Sequence, residues 1–243
     1  MKFLFASDSF KGSLSSQKTA ELLAKAAREI FPDCQCDSIV VADGGEGTTA
    51  AVLAATNGKK LPVQVHGPLW EDITSNYGML DENRAVMEMA AASGLPLVPE
   101  EKRDPRYTTS YGTGEMIADA LRRGFRDISI AIGGSATNDG GIGCIRALGG
   151  KFLDENNQEL KGCGEDLMKI RKIDLSGLNP LIKECKFTVT CDVTNPLCGK
   201  DGATYTFGRQ KGATPEIQND LEAGMCNYRD IIKEQFDLDM DNI

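Results

Sequence analysis

Hydrophobic and polar positions recur along this chain with two different periods, and the change of period divides it. Two short apolar runs near the start, Phe3-Leu4-Phe5-Ala6 and Ile39-Val40-Val41-Ala42, read as strands. Between them Ala20, Leu23, Ala24, Ala27, Ile30 and Phe31 share one face at about 3.6-residue spacing, with Glu21, Lys25, Arg28 and Glu29 opposite, which predicts a helix. Ser15 or Ser16 can cap its start, and Pro32 ends it. Residues 47–57 read as a second helix with Gly58 past its end. Strand, helix, strand, helix predicts a parallel sheet. After residue 62 the pattern changes. Residues 61–65, 72–80 and 84–89 read as antiparallel strands, with Asp81-Glu82-Asn83 as the turn between the last two. There follow a helix over 114–123, a strand over 128–132, a helix reaching Leu148, a loop-rich stretch over 154–185, a buried strand over 187–191, a loop over 199–212 and a helix from Pro215 to Gln235. The expectation is an α/β protein of two α/β domains, a parallel-sheet domain over 1–62 and a mixed-sheet domain over 63–243. Two strands cannot cover both of their own faces, so the first domain reads as incomplete.

Bulk composition narrows the function classes. The chain has 243 residues, of which 41% are hydrophobic and 26% charged, as in ordinary globular proteins. No apolar run approaches the roughly 20 residues of a membrane helix, and the start lacks a signal-peptide pattern. A net charge of −9 argues against general nucleic-acid binding and means that an anionic substrate needs local cations. The 8 cysteines form no C-x-x-C pair, so reduced thiols and a cytoplasmic location are expected. The chain has 1 histidine, His66, which leaves carboxylates and lysines as the candidate general bases; His66 itself reads as structural or surface.

Four apolar runs are each followed by a cluster of Gly, Ser/Thr and Asp. In α/β proteins ligands gather at the carboxyl ends of strands, where loops are free of packing duty. The first cluster holds Ser7, Asp8, Lys11 and Ser13, where backbone N–H groups and an ammonium could bind a phosphate or carboxylate, or the serines could simply cap the helix. The second is Asp43-Gly44-Gly45-Glu46-Gly47-Thr48; three glycines in four residues exceed what a helix cap needs. The third, Gly133 to Gly141, includes Gly134, Ser135, Thr137, Asn138 and Asp139, and could wrap an anion or be a flexible loop. In the fourth, Asp192 could bind Mg2+, take a hydroxyl proton, or cap a turn with Thr194 and Asn195. Arg209 and Lys211 read either as a solvated pair or as an anion clamp. There is no G-x-x-x-x-G-K-[ST], so this is not a Walker-type loop, and no G-x-G-x-x-G follows the first strand, which sets aside an NAD-type dehydrogenase.

Ser7 to Leu14, Ala42 to Thr48, Thr108 to Glu115, Ile132 to Gly141 and Cys191 to Leu197 together resemble the bacterial type I glycerate kinases. The resemblance covers essentially the whole chain. It implies ATP-dependent phosphorylation of D-glycerate, usually at the 2-hydroxyl to give 2-phosphoglycerate, with Mg2+. It further implies two α/β domains, the first Rossmann-like, with the site between them. Family members usually carry Pro where this chain has Arg209, and they are about half again as long; the implied reading is a chain truncated at its C-terminus within the first domain. On this reading Asp192 is the base that orients and deprotonates the hydroxyl. Lys11 stabilises the transferring group or binds the glycerate carboxylate. Mg2+ is held among Asp8, Asp43, Asp192 and Asp139. Ser7, Asp8, Ser13, Gly44, Gly45, Glu46, Gly133, Gly134, Ser135, Thr137, Asn138, Arg209 and Lys211 bind substrate or phosphate. Its partners are D-glycerate and ATP, with the oligomeric state, a homo-oligomer included, left open. The alternative is a non-catalytic remnant with weak anion binding.

Overall fold

The computed structural model describes residues 1–8, 10, 13–41, 44, 45 and 47–241. The chain opens with β1 (Lys2–Phe5), α1 (Ser16–Ile30), β2 (Gln35–Ser38) and α2 (Thr48–Thr56). Ser15 caps α1 by accepting from Lys18 N at 3.1 Å. β1 and β2 form a separate parallel pair. The second strand is therefore four residues earlier than the apolar run Ile39–Ala42 predicts. The reason is length: β1 ends at Phe5, whose register partner is Ser38, and only one further bond, Ile39 N to Phe5 O, continues the ladder.

The chain then builds β3 (Lys59–His66), β4 (Asp72–Met79), β5 (Arg84–Glu88), α3 (Ala90–Ser93), α4 (Tyr111–Arg122), β6 (Asp127–Ala131), α5 (Ile142–Ala147), β7 (Lys151–Leu153), β8 (Lys172–Asp174), β9 (Lys186–Thr190), α6 (Ala203–Phe207) and α7 (Pro215–Phe236). A five-stranded mixed sheet runs β3-β4-β5-β6-β9, antiparallel on its β3 side and parallel across β5, β6 and β9. The β4–β5 turn is tied by Asp81 Oδ1, which accepts from Asn83 N and Arg84 N. The antiparallel strands, that turn, and the helices at α4 and α7 agree with the pattern in the sequence.

Two cores hold this part together. Val63, Val65, Tyr77, Met87 and Ile128 from the sheet bury against Met116, Ile117 and Leu121 of α4. Phe152, Leu167, Ile170 and Ile173 pack with Met225, Tyr228, Ile231 and Ile232 of α7. β7 and β8, hidden in the loop-rich stretch, form a small antiparallel pair.

β9 departs from the expectation of a buried strand. All five of its residues are exposed, and Val189 is 56% exposed. It is the edge of the sheet, so apolar content alone did not decide its burial. Among the described residues no helix is long and apolar enough to cross a membrane.

Candidate functional site

Parallel register decides where the chemistry gathers. Glu88, Ala131 and Thr190 stand in one row across β5, β6 and β9, so the segments that leave these strands start from a common edge. The second glycine cluster is drawn to the same edge. Gly133 N donates to Gly44 O at 3.1 Å, and a Cβ on Gly133 would lie 2.8 Å from Gly45 Cα. Gly44 has φ +87°, which favours glycine, and a Cβ there would crowd Thr190 Cγ2 at 3.1 Å. Glu88 at the end of β5 reaches across: its Oε1 accepts from Thr49 N in the first turn of α2 at 2.6 Å. The first cluster is linked through Ser16, whose hydroxyl donates to Ser7 O and accepts from Val41 N.

These segments enclose a cavity of about 470 Å3. Its wall takes Gly45 from the second cluster, Ile132 to Ser135 from the third, Cys191, Asp192, Val193 and Asn195 from the fourth, and Ala203, Phe207, Gln210 and Lys211 from the segment beyond. Three of the four clusters predicted from sequence thus meet in one hollow. Backbone groups, a hydroxyl, a carboxylate, two carboxamides and an ammonium line it.

Lys211 is the electrostatic centre of this wall. It is 8% exposed, and its Nζ donates to Ser135 Oγ at 3.0 Å and to Thr137 O. Burial pulls its pKa down to about 8, against the opposing charge of Asp139. Asp139 lies behind the wall rather than on it. Its Oδ2 accepts from Ser110 N at 2.8 Å and Ser110 Oγ at 2.7 Å, and its Oδ1 from Gly141 N at 3.1 Å. Burial pushes its carboxyl above the usual carboxylate range. These bonds fix the start of α4, so the Thr108–Glu115 stretch serves as scaffold for the third loop.

The third loop is tied on both sides. Leu95 N donates to Gly134 O, Ala136 N to Ser93 O, Thr108 Oγ1 to Ala136 O, and Asn138 Nδ2 to Thr204 Oγ1. Thr137 and Asn138 are buried behind the wall, and Ser135 is on it. Arg209 is exposed and off the wall, on the opposite side of the tight turn Arg209–Lys211 from its neighbour. Ser7, Asp8, Ser13 and Gly44 are also off the wall. Lys11, Asp43 and Glu46 lie outside the described residues. Sequence reasoning passed over Phe207 and Gln210, which come from a stretch read only as loop; Asn195 had a signal in its place beside Asp192.

Comparison with known proteins gives a consistent picture. A family model described as the glycerate kinase family matches residues 3–243. The chain is 48% identical over its whole length to the glycerate 2-kinase of Escherichia coli strain K12, of which it covers 64%. It is 46% identical, over 96% of its length, to a glycerate kinase of Bacillus subtilis strain 168, of which it covers 62%. A crystal structure from Salmonella typhimurium LT2, described as a glycerate kinase 2, superposes with a TM-score of 0.85 at 44% identity, covering 100% of this chain and 65% of that one. The chain thus spans less than two thirds of the length of these relatives.

Proposed function

The chain belongs to the glycerate kinase family, and on that premise we propose that it takes part in transferring the γ-phosphoryl group of ATP to D-glycerate, at the 2-hydroxyl, in the cavity at the carboxyl ends of β6 and β9. The observation that carries this reading is the pairing, on one glycine-edged wall, of a buried ammonium, Lys211, with an exposed carboxylate, Asp192. Phosphoryl transfer needs positioning and charge stabilisation more than covalent chemistry. Asp192, at the mouth of the strand, orients the attacking hydroxyl and accepts its proton. Lys211 offsets charge on the transferring group or on the glycerate carboxylate. The N–H group of Gly134, with the Ser135 hydroxyl, receives phosphate oxygens, while the N–H of Gly133 holds Gly44 in place. Lys11 is proposed as a second cation. The two domains expected over 1–62 and 63–243 are proposed to meet at this cavity, with their boundary moved to the start of β3, because Lys59 to Pro62 are already paired with β4 in the five-stranded sheet.

Mg2+ suits the oxygen donors here. Asp192 offers a carboxylate on the wall, whereas both oxygens of Asp139 are already engaged inside the fold. Asp192, with Asp8 and Asp43, is the proposed ligand set, and the ion when bound supplies neutralisation of phosphate charge.

A coupled assay for ADP release with MgATP and D-glycerate tests the reading, run beside Asp192→Asn. The expected result is glycerate-dependent ADP release that falls by about 10²–10⁴-fold in Asp192→Asn while ATP affinity holds. Retention of more than about a third of the rate would remove Asp192 from the role of base. A second reading, anion binding without turnover, is favoured by the apolar residues that β1 and β9 leave exposed, Leu4 and Val189. Calorimetric binding of ATP with no ADP release at any glycerate concentration would select it.

A further inference from the structure

Away from the cavity wall, Glu222 and Cys226 stand one turn apart on the same face of α7, and the loop after β9 brings Cys198 against them. One ligand atom from each of the three lies within 4.8 Å of the others. Cys198 and Glu222 are each 8% exposed. Glu222 Oε1 accepts from Gly199 N at 2.5 Å and from Cys226 Sγ at 3.8 Å. Its other oxygen, Oε2, is buried and has no hydrogen-bond partner among the described residues. A buried carboxylate oxygen without a partner is costly, and its position beside two thiols indicates what would satisfy it.

We propose that Cys198, Glu222 and Cys226 form a three-ligand site for a thiophilic divalent cation of the zinc class, with water as the fourth ligand. Two sulfurs select against hard cations such as Mg2+ and for zinc-like ions. Tetrahedral bond lengths of about 2.3 Å to sulfur and about 2.0–2.2 Å to oxygen are within reach of ligand atoms that already lie within 4.8 Å of one another. Binding exchanges two thiol protons for the cation and leaves the carboxylate as a third anionic ligand. That set carries one negative charge in excess of the ion, and the guanidinium of Arg229 lies close enough to act on Cys198. The other cluster of this kind, Cys163, Glu165 and Asp166, carries no such demand. Asp166 accepts from Gly162 N and Cys163 N and pairs with Lys169, which also pairs with Glu165. The site also has a consequence for the wall described above. Cys198 follows Asp192 by six positions, so the ion would tie the Asp192 loop to α7.

The test is titration of the reduced 243-residue chain with Co2+, followed by the thiolate-to-cobalt charge-transfer absorbance in the near ultraviolet. One equivalent is expected, displaced by Zn2+ and not by Mg2+. Cys198→Ser and Cys226→Ser abolish the band, Cys163→Ser keeps it, and Glu222→Gln weakens affinity by about tenfold or more, at least what loss of an outer partner costs. Should the cysteine variants fail to fold, zinc protection of the wild-type thiols decides: Cys198 and Cys226 become resistant to alkylation together, read by mass spectrometry. The proposal is overturned by a folded, reduced wild-type chain that shows no band, by a band that survives Cys198→Ser, by alkylation that zinc does not slow, or by recovery of a Cys198–Cys226 disulfide from anaerobically purified chain.

Discussion

The Nζ of Lys211 donates to the Oγ of Ser135 at 3.0 Å, joining positions 76 apart in the sequence. With the bond to Thr137 O, it stitches the segment after β9 to the loop after β6, and it does so with a charge that has been taken out of water. A buried ammonium is stable only where dipoles and an opposite charge receive it. Here two oxygens receive it directly and Asp139 acts from behind. The same residue that closes the scaffold therefore offers the cavity its cation.

That arrangement makes the stability of the chain depend on pH with a defined sign. The folded-state pKa of Lys211 is lowered to about 8 from an ordinary 10.5. Between those values the unfolded chain binds more protons than the folded one, so this group's contribution to stability rises with pH across that window. Below about pH 8 the full cost of burying the charge is present. Replacing Lys211 by Met removes the rise along with a constant contribution from the lost hydrogen bonds. Chemical denaturation of both proteins should show the wild type gaining on the order of 3 kcal/mol relative to Lys211→Met as pH climbs through the window. A difference that stays flat with pH would mean that Lys211 is not buried as a cation.

How Lys211 was read before folding shows where sequence reasoning stops. Two positions apart in sequence, Arg209 and Lys211 read alike, either as a solvated pair or as an anion clamp. The tight turn Arg209–Lys211 sends one to solvent and the other inward, and the receiving oxygens belong to a loop that nothing local points to. β2 follows the same logic: Ile39–Val41 is the more apolar run and predicts the strand, but the length of β1 sets the register. The run over 187–191 predicts a buried strand; the place of β9 at the edge is a property of topology, not of its own residues. By contrast β3, β4 and β5, α4, α7 and the glycine loops were legible. Period, turn residues and caps for these elements are all local.

Glu88 gave no signal in the sequence, and its role yields a prediction. Its bond to Thr49 N satisfies a donor in the first turn of α2 and sets a negative charge at the helix's positive end. Glu88→Gln keeps the shape and loses the charge, for about 0.3–1 kcal/mol. Glu88→Ala loses the cap as well, for about 1–2 kcal/mol, or roughly 2–8 °C in Tm for a chain of this size. Calorimetry measures the midpoint, and amide exchange at Thr49 should quicken in both variants. An unchanged Thr49 amide in Glu88→Ala would show that α2 is fixed from elsewhere.

Gly133 sits where two loops touch through backbone alone. A methyl group there would lie 2.8 Å from Gly45 Cα and 3.1 Å from Gly44 O, neither of which is the end of a flexible side chain. Gly133→Ala must therefore part the second cluster from the third, at about 1–3 kcal/mol. The expected outcome is a lower Tm together with weaker binding of ATP, measured by calorimetry on the folded variant. Binding at wild-type strength would mean that the contact between these loops is not part of the nucleotide site.

The last prediction concerns β1 and β2. Among the described residues they pair only with each other, and a two-stranded pair is marginal in water. Leu4 is 58% exposed and Ile39 is 53% exposed, so the hydrophobic gain that would reinforce the pair is largely unrealised. β6 is in the opposite position. It is paired on both sides, and Ile128 is fully buried under α4. Local opening should therefore cost little at the amides of Gln35 and Ile39, which donate to Met1 O and Phe5 O, and approach the global cost at Ile128 and Ile130. Hydrogen exchange read by mass spectrometry should separate the two groups by several orders of magnitude. The exposed apolar surface of this pair, with the free edge of β9, should also make the chain associate as concentration rises, seen by sedimentation. Equal protection at Gln35 and Ile128 in a chain that stays monomeric would show that β1 and β2 are held as firmly as the central sheet.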